Sequence, residues 1–125
     1  LVTRMLCSNG TLSTHKATQE RIKKVVSISG VHDLRPLLKT SMNNILQLDE
    51  AEAITESPAL QQPNHLAEVV CLVGENERPE FIRQSELLAN IWAGLGLETS
   101  LLIADGKHHF DIIETLATAE VQLFL

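Results

Sequence analysis

Two adjacent histidines, His108 and His109, stand in "GKHHFDIIETLA" (residues 106–117), just ahead of an apolar run with helical spacing. A histidine held in a loop at the mouth of a helix suits a general base, because imidazole exchanges its proton near neutral pH. Three glutamates, Glu75, Glu77 and Glu80, crowd "GENERPE" (residues 74–80), and Asp105 lies just ahead of the histidine loop. A carboxylate beside the imidazole would fix its tautomer and stabilise its charged form. By position alone, each of these acids is as readily a solvated loop residue or a helix-start charge. The choice among them, and between the two histidines, stays open.

Such a pair needs a nucleophile, and the strained G-x-S-x-G elbow is the usual way to present a serine. None of Ser8, Ser13, Ser27, Ser29, Ser41, Ser57, Ser85 or Ser100 has glycines two residues to either side. Ser29 in "SISGV" comes nearest, but it is expected inside a strand as part of the core. Cys71, in the middle of "EVVCLVG", reads as inert packing rather than a reactive thiol. His108, His109 and Asp111 could be imagined as zinc ligands. Adjacent histidines in an extended loop point apart, however, and the chain has no H-x-x-x-H or C-x-x-C, so no metal or cofactor is expected.

The elements that must carry these residues alternate in type. "LVTRMLCSNG" has helical spacing at Val2, Met5 and Leu6 and a stop at Gly10, with no start signal ahead of it. Val25 to Ile28 form a β-branched run, followed by Asp33 as N-cap of "LRPLLKTSM", with Pro36 in the first turn. A short acidic helix and a proline-bearing loop lie in "LDEAEAITESPALQQPNH". "AEVVCLVGENE" is a second strand. "RPEFIRQSELLANIWAGLGL" is a helix with Pro79 and Glu80 at its start. Its face is Leu88, Ile91, Trp92 and Leu95, and Gly94 or Gly96 ends it. "TSLLIA" is a third strand. Phe110 to Leu125 are predicted to form a final helix on Phe110, Ile113, Leu116, Ala117 and Val121.

Strands apolar throughout and separated by helices imply βαβ units and a parallel sheet. The expected fold is therefore α/β, a three-layer parallel sheet of about three strands in one domain, residues 1–125. Ligands of such sheets sit beyond the carboxyl ends of the strands. Here those ends are "SGVHD", "GENERPE" and "DGKHHF", where acids and histidines gather.

Bulk properties narrow the class. Hydrophobic content of 44% with 21% charged residues is ordinary for a soluble protein, and 125 residues can bury a core. A net charge of −6 without a basic cluster beyond Lys23 and Lys24 argues against nucleic acid or an anionic membrane as partner. No run is long enough for a membrane span. Cys7 and Cys71 are expected as buried thiols of a reducing compartment, the cytoplasm.

Taken together, "SISGVHDLRPLLKTSMN", "ESPAL", "GENERPEFIRQSELL" and "GKHHFDIIETLA" resemble the carboxyl-terminal half of α/β-hydrolases of the arylformamidase (kynurenine formamidase) and esterase family. The resemblance covers nearly the whole chain in order. It implies a partial α/β-hydrolase fold and a Ser-acid-His triad whose acid lies two residues before P-E-F, at Glu77. Its histidine lies directly before Phe, at His109. The family more often has Asp at the acid position; the wider fold accepts either. Its G-x-S-x-G elbow and H-G-G oxyanion loop are absent here, so the resemblance implies a chain that starts just after the nucleophile and is inactive alone. For the parent it implies a small N-formyl amide or ester as substrate and a part in tryptophan catabolism. The alternative is a non-catalytic stand-alone α/β module kept for association. A free edge at Val25 to Ser29 is expected to make residues 1–125 self-associate, for instance as a homodimer.

Overall fold

β-branched residues favour extended backbone because their side chains pack well on a pleated surface, and they build the sheet of the computed structural model, which describes residues 1–64 and 67–117. The strands are β1 (Lys24–Ile28), β2 (Glu68–Gly74) and β3 (Thr99–Ala104), all parallel and in the order β1-β2-β3. The register pairs Val25 with Val69 and Cys71 with Leu101. Helices α1 (Val2–Met5), α2 (Lys16–Arg21), α3 (Asn43–Leu46), α4 (Glu50–Thr55) and α5 (Pro79–Gly94) surround it. Short 3-10 turns span Arg35–Lys39, Pro58–Leu60 and Ile112–Ala117. No helix among the described residues is long and apolar enough to cross a membrane.

Alternation along β2 divides the core. Val69 and Cys71 face α5, packing with Leu88, Ala89, Trp92 and Leu97. Val70 and Leu72 face the other way, against Ile112, Val26, Ile28 and Leu102. The sheet thus has α5 on one face and the turn at Ile112–Ala117 on the other. Burying one such aliphatic side chain stabilises the fold by roughly 1.5–3 kcal/mol. The Trp92 indole N–H, buried with its ring, donates to the carbonyl of Pro58 and is thereby satisfied. Cys7 and Cys71 are both buried free thiols, and burial pushes each thiol up to about 11.

Several expectations need correction. Only β2 is buried on both faces; β3 is half-exposed, with Ile103 open to solvent, because it lies at a sheet edge. Leu95 is also exposed: it caps the last turn of α5 rather than continuing its buried face. Asp33 does not cap an α-helix. Its carboxylate instead accepts from the backbone N–H and guanidinium of Arg35, which suits the tight 3-10 turn at Arg35–Lys39. The final apolar face keeps Leu116 as expected but uses Ile112 in place of Phe110 and Ile113. Ile112 and Leu116 pack on the sheet, while Phe110 and Ile113 point outward, because a 3-10 turn forms there. The rest of the predicted last helix, including Val121, lies outside the described residues.

Candidate active site

Strands β2 and β3 end side by side, with Gly74 paired to Ala104. Their outgoing loops are fastened by backbone: Glu75 N–H donates to the Ala104 carbonyl and Asn76 N–H to that of Lys107, both at 2.9 Å. The Gly106 N–H adds a bond to the Glu75 carboxylate. This closeness needs Gly74, since a Cβ there would lie 2.2 Å from the Lys107 carbonyl oxygen. Any side chain at residue 74 would push the two loops apart.

Glu77 and His109 meet across this junction. His109 Nδ1 lies 2.7 Å from Glu77 Oε1; the Glu77 side chain is wholly buried, and that of His109 is 45% exposed. An ionised carboxylate only accepts, so Nδ1 carries the proton and Nε2 offers its lone pair. Among the described residues Nε2 has no hydrogen-bond partner. The other carboxylate oxygen, Oε2, accepts the Ser29 hydroxyl at 2.5 Å and the Gly74 N–H at 2.6 Å. Burial works to raise the Glu77 pKa, but the bonds from Ser29, Gly74 and His109 outweigh it and hold the group below its ordinary value. The buried acid is therefore held ionised and aimed at the imidazole.

Aromatic rings hold the histidine in turn. Phe81, in the first turn of α5, stacks on the imidazole with ring centroids 4.5 Å apart and planes 28° apart. Phe110 meets it edge-on at 5.6 Å. With Asn76, Arg78 and His108, these residues line an open cleft of about 430 Å³, large enough for a small organic ligand.

The remaining sequence candidates lie apart from this pair. Glu75 is committed to Gly106, and Glu80 to Arg83 and Gln84. Asp105 sits in the turn after β3, exposed. His108 folds back on its own turn, its N–H donating to Asp111 at 2.6 Å and its ring lying 3.4 Å from that carboxylate.

Ser29 is not the core strand residue it was expected to be. It lies one residue past β1, at φ 49°, with its hydroxyl on Glu77. Gln84, fully buried, is a second residue that the sequence did not announce. Its carbonyl oxygen accepts the N–H groups of His32 and Asp33, and its amide donates to the Asp33 carbonyl, tying the loop after β1 to α5. A polar residue directly after a β-branched run, and a glutamine on the inner face of an amphipathic helix, were the available signals. His32 is buried at this loop between Ser27 and Thr3, and burial lowers its pKa to about 4.

A carboxylate–imidazole pair at the carboxyl ends of parallel strands, in a cleft, is chemically able to take up and return a proton, and the relatives of this chain are hydrolases by name. The chain is homologous to kynurenine formamidases: that of Danio rerio is 33% identical over 101 residues, covering 77% of this chain. Those of Salmo salar and Drosophila melanogaster are each 32% identical, covering 82% and 86% of the chain. The chain spans only 34%, 37% and 40% of these relatives' own lengths. A crystal structure of a provisionally assigned thioesterase from Silicibacter sp. superposes with a TM-score of 0.84 at 41% identity. That match covers 98% of this chain and 44% of that one. No family model matches the chain.

Proposed function

We propose that residues 1–125 are the carboxyl-terminal part of an α/β-hydrolase domain and supply the acid and histidine of its catalytic triad, Glu77 and His109. The whole protein would cleave a small N-formyl amide or carboxylic ester, in a cytoplasmic setting that suits the two buried thiols. The observation that carries this reading is the 2.7 Å contact between a half-exposed imidazole and a buried carboxylate whose second oxygen is already satisfied. That geometry leaves Nε2 free to act on a hydroxyl.

In the proposed reaction, a serine hydroxyl from outside these residues adds to the substrate carbonyl carbon as its proton passes to His109 Nε2. Glu77 stabilises the resulting imidazolium. The imidazolium then protonates the leaving nitrogen or oxygen, the carbon–heteroatom bond breaks, and an acyl-serine remains. Water, deprotonated by the same Nε2, releases the acid. No G-x-S-x-G occurs within the 125 residues, so the acid–base pair alone forms no acyl intermediate, and the isolated chain is expected to be inactive.

The test uses the full-length protein and an aryl ester or N-formyl arylamine. His109→Ala should remove nearly all turnover, on the order of 10⁴-fold or more, because the base serves both half-reactions. His108→Ala should leave turnover within a few-fold of the wild type. Equal losses from the two changes overturn the assignment. Coding sequence ahead of Leu1 without a G-x-S-x-G would favour the non-catalytic association module instead.

A further inference from the structure

We propose that Ser29 is a positioning residue for the Glu77–His109 pair, and that its hydroxyl sets the direction in which the buried carboxylate presents itself. This inference rests on the triad reading given above. Ser29 occupies a place where the sheet ladder stops: its N–H still donates to the Leu72 carbonyl at 2.8 Å, in line with β1. Its φ of 49° then turns the chain away. That left-handed conformation suits glycine and strains a residue with a Cβ. Gly30 stands next to it, yet the strained position holds the serine. A strained serine persists where its side chain has a use that glycine cannot supply.

The use is visible in the contacts. The residue is 8% exposed, and its Oγ lies 2.5 Å from Glu77 Oε2. The Gly74 N–H reaches the same oxygen from a different strand at 2.6 Å. Two donors from two strand ends fix the rotation of the carboxylate about its last bond, and so direct Oε1 at His109. Neither donor touches the imidazole. Ser29 is no nucleophile in this arrangement, because its proton is committed to the acid rather than to the base. The loop beyond it is pinned as well, through Gln84 to the N–H groups of His32 and Asp33, so the serine cannot drift from its acceptor.

Among the described residues, the charged and titratable groups that line the cleft with Glu77 are Arg78, His108 and His109. His109 faces it from the loop after β3, and Glu75 and Arg78 are its neighbours on its own loop. Ser29 is the neutral donor supplied by the loop just after β1. Removing it should raise the Glu77 titration midpoint, since a bond to the charged form is lost.

The experiment compares Ser29→Gly and Ser29→Ala with wild type in the full-length protein. Ser29→Gly is the sharper variant, because it relieves the backbone and so keeps the fold while deleting the hydroxyl. The expected result is a fall in kcat of about tenfold, the scale of one hydrogen bond to a charged group, with KM little changed and thermal stability kept. The Glu77 carboxyl carbon, followed by ¹³C NMR, should titrate at higher pH in both variants. If His109→Ala abolishes turnover but Ser29→Gly changes neither kcat nor the Glu77 titration, the positioning role is wrong and the triad reading stands. If His109→Ala leaves turnover intact, the triad reading fails, and an unmoved Glu77 titration would then remove the Ser29–Glu77 coupling too.

Discussion

Replacing Glu77 by Gln changes one oxygen into an NH₂ group at nearly constant volume, and the surrounding donors dictate how the amide must sit. The Gly74 N–H is part of the backbone and points at Oε2 from 2.6 Å; it cannot turn away. An NH₂ group placed there would leave a buried donor facing a donor, costing about 1–3 kcal/mol. The amide oxygen therefore takes the Oε2 site, where it can also accept the Ser29 hydroxyl, and the NH₂ group faces His109. An NH₂ donates, so Nδ1 must become the acceptor, and the imidazole proton moves to Nε2. The base then has no lone pair where the serine proton should go, and the charge that stabilised the imidazolium has gone as well. We predict a loss in kcat on the order of 10³–10⁴-fold, with KM near its original value. Folding stability should change by less than about 1 kcal/mol, because both fixed donors keep an acceptor. Steady-state kinetics with an aryl ester gives the first number, and ¹⁵N NMR of His109 shows which ring nitrogen is protonated. A Gln variant that retains more than about a tenth of the wild-type kcat, or whose His109 still carries its proton on Nδ1, would refute the reasoning.

The remaining expectations concern stability and association. His32 has a folded pKa of about 4 against 6.5 when unfolded; the fold holds it neutral, so its stabilising share is complete above pH 6.5 and is lost as pH falls towards 4. That loss is on the order of 3 kcal/mol. Urea denaturation of wild type and His32→Gln at pH 7 and 4.5 should show it, and equal pH dependence in the two proteins would sink the argument. Residues 1–125 on their own should self-associate, because β1 lies at a sheet edge, where unpaired backbone groups invite pairing with another chain. Sedimentation should show a mass that rises with concentration; a concentration-independent monomer overturns the prediction. In the full-length protein we expect this edge to be covered and any dimer to form elsewhere.

The sheet was legible because it was written in runs that no other element uses so readily. Val25 to Ile28, Val69 to Val73 and Leu101 to Ile103 are β-branched or aliphatic apart from Ser27 and Cys71, and each is closed by a glycine or a charged turn. α5 was legible from Pro79 and its apolar spacing. The closing turn was not: Phe110, Ile112, Ile113 and Leu116 fit two helical registers, and the choice between them depends on how the loop after β3 meets the sheet, which is a tertiary matter. The sequence brought Glu77 and His109 forward only through the family resemblance, since Glu75 and Glu80 stand equally near in the chain. What distinguishes them is burial and direction, and both arise when β2 and β3 pair. Ser29 was hidden for the same reason. Its partner lies 48 residues away, and a polar residue directly after the β-branched run, the local signal there is, does not say that the serine will turn left-handed.

The backbone bonds that fasten the loop after β2 to the loop after β3 involve neither the Glu77 nor the His109 side chain. Asn76 and Lys107, Glu75 and Ala104, and the missing methyl of Gly74 set the separation through backbone alone. Place and chemistry are thus specified by different atoms. Such a frame could carry another acid, or another proton acceptor, at the same spacing without refolding, so a lineage can explore new reactions at these two positions while its architecture stays intact.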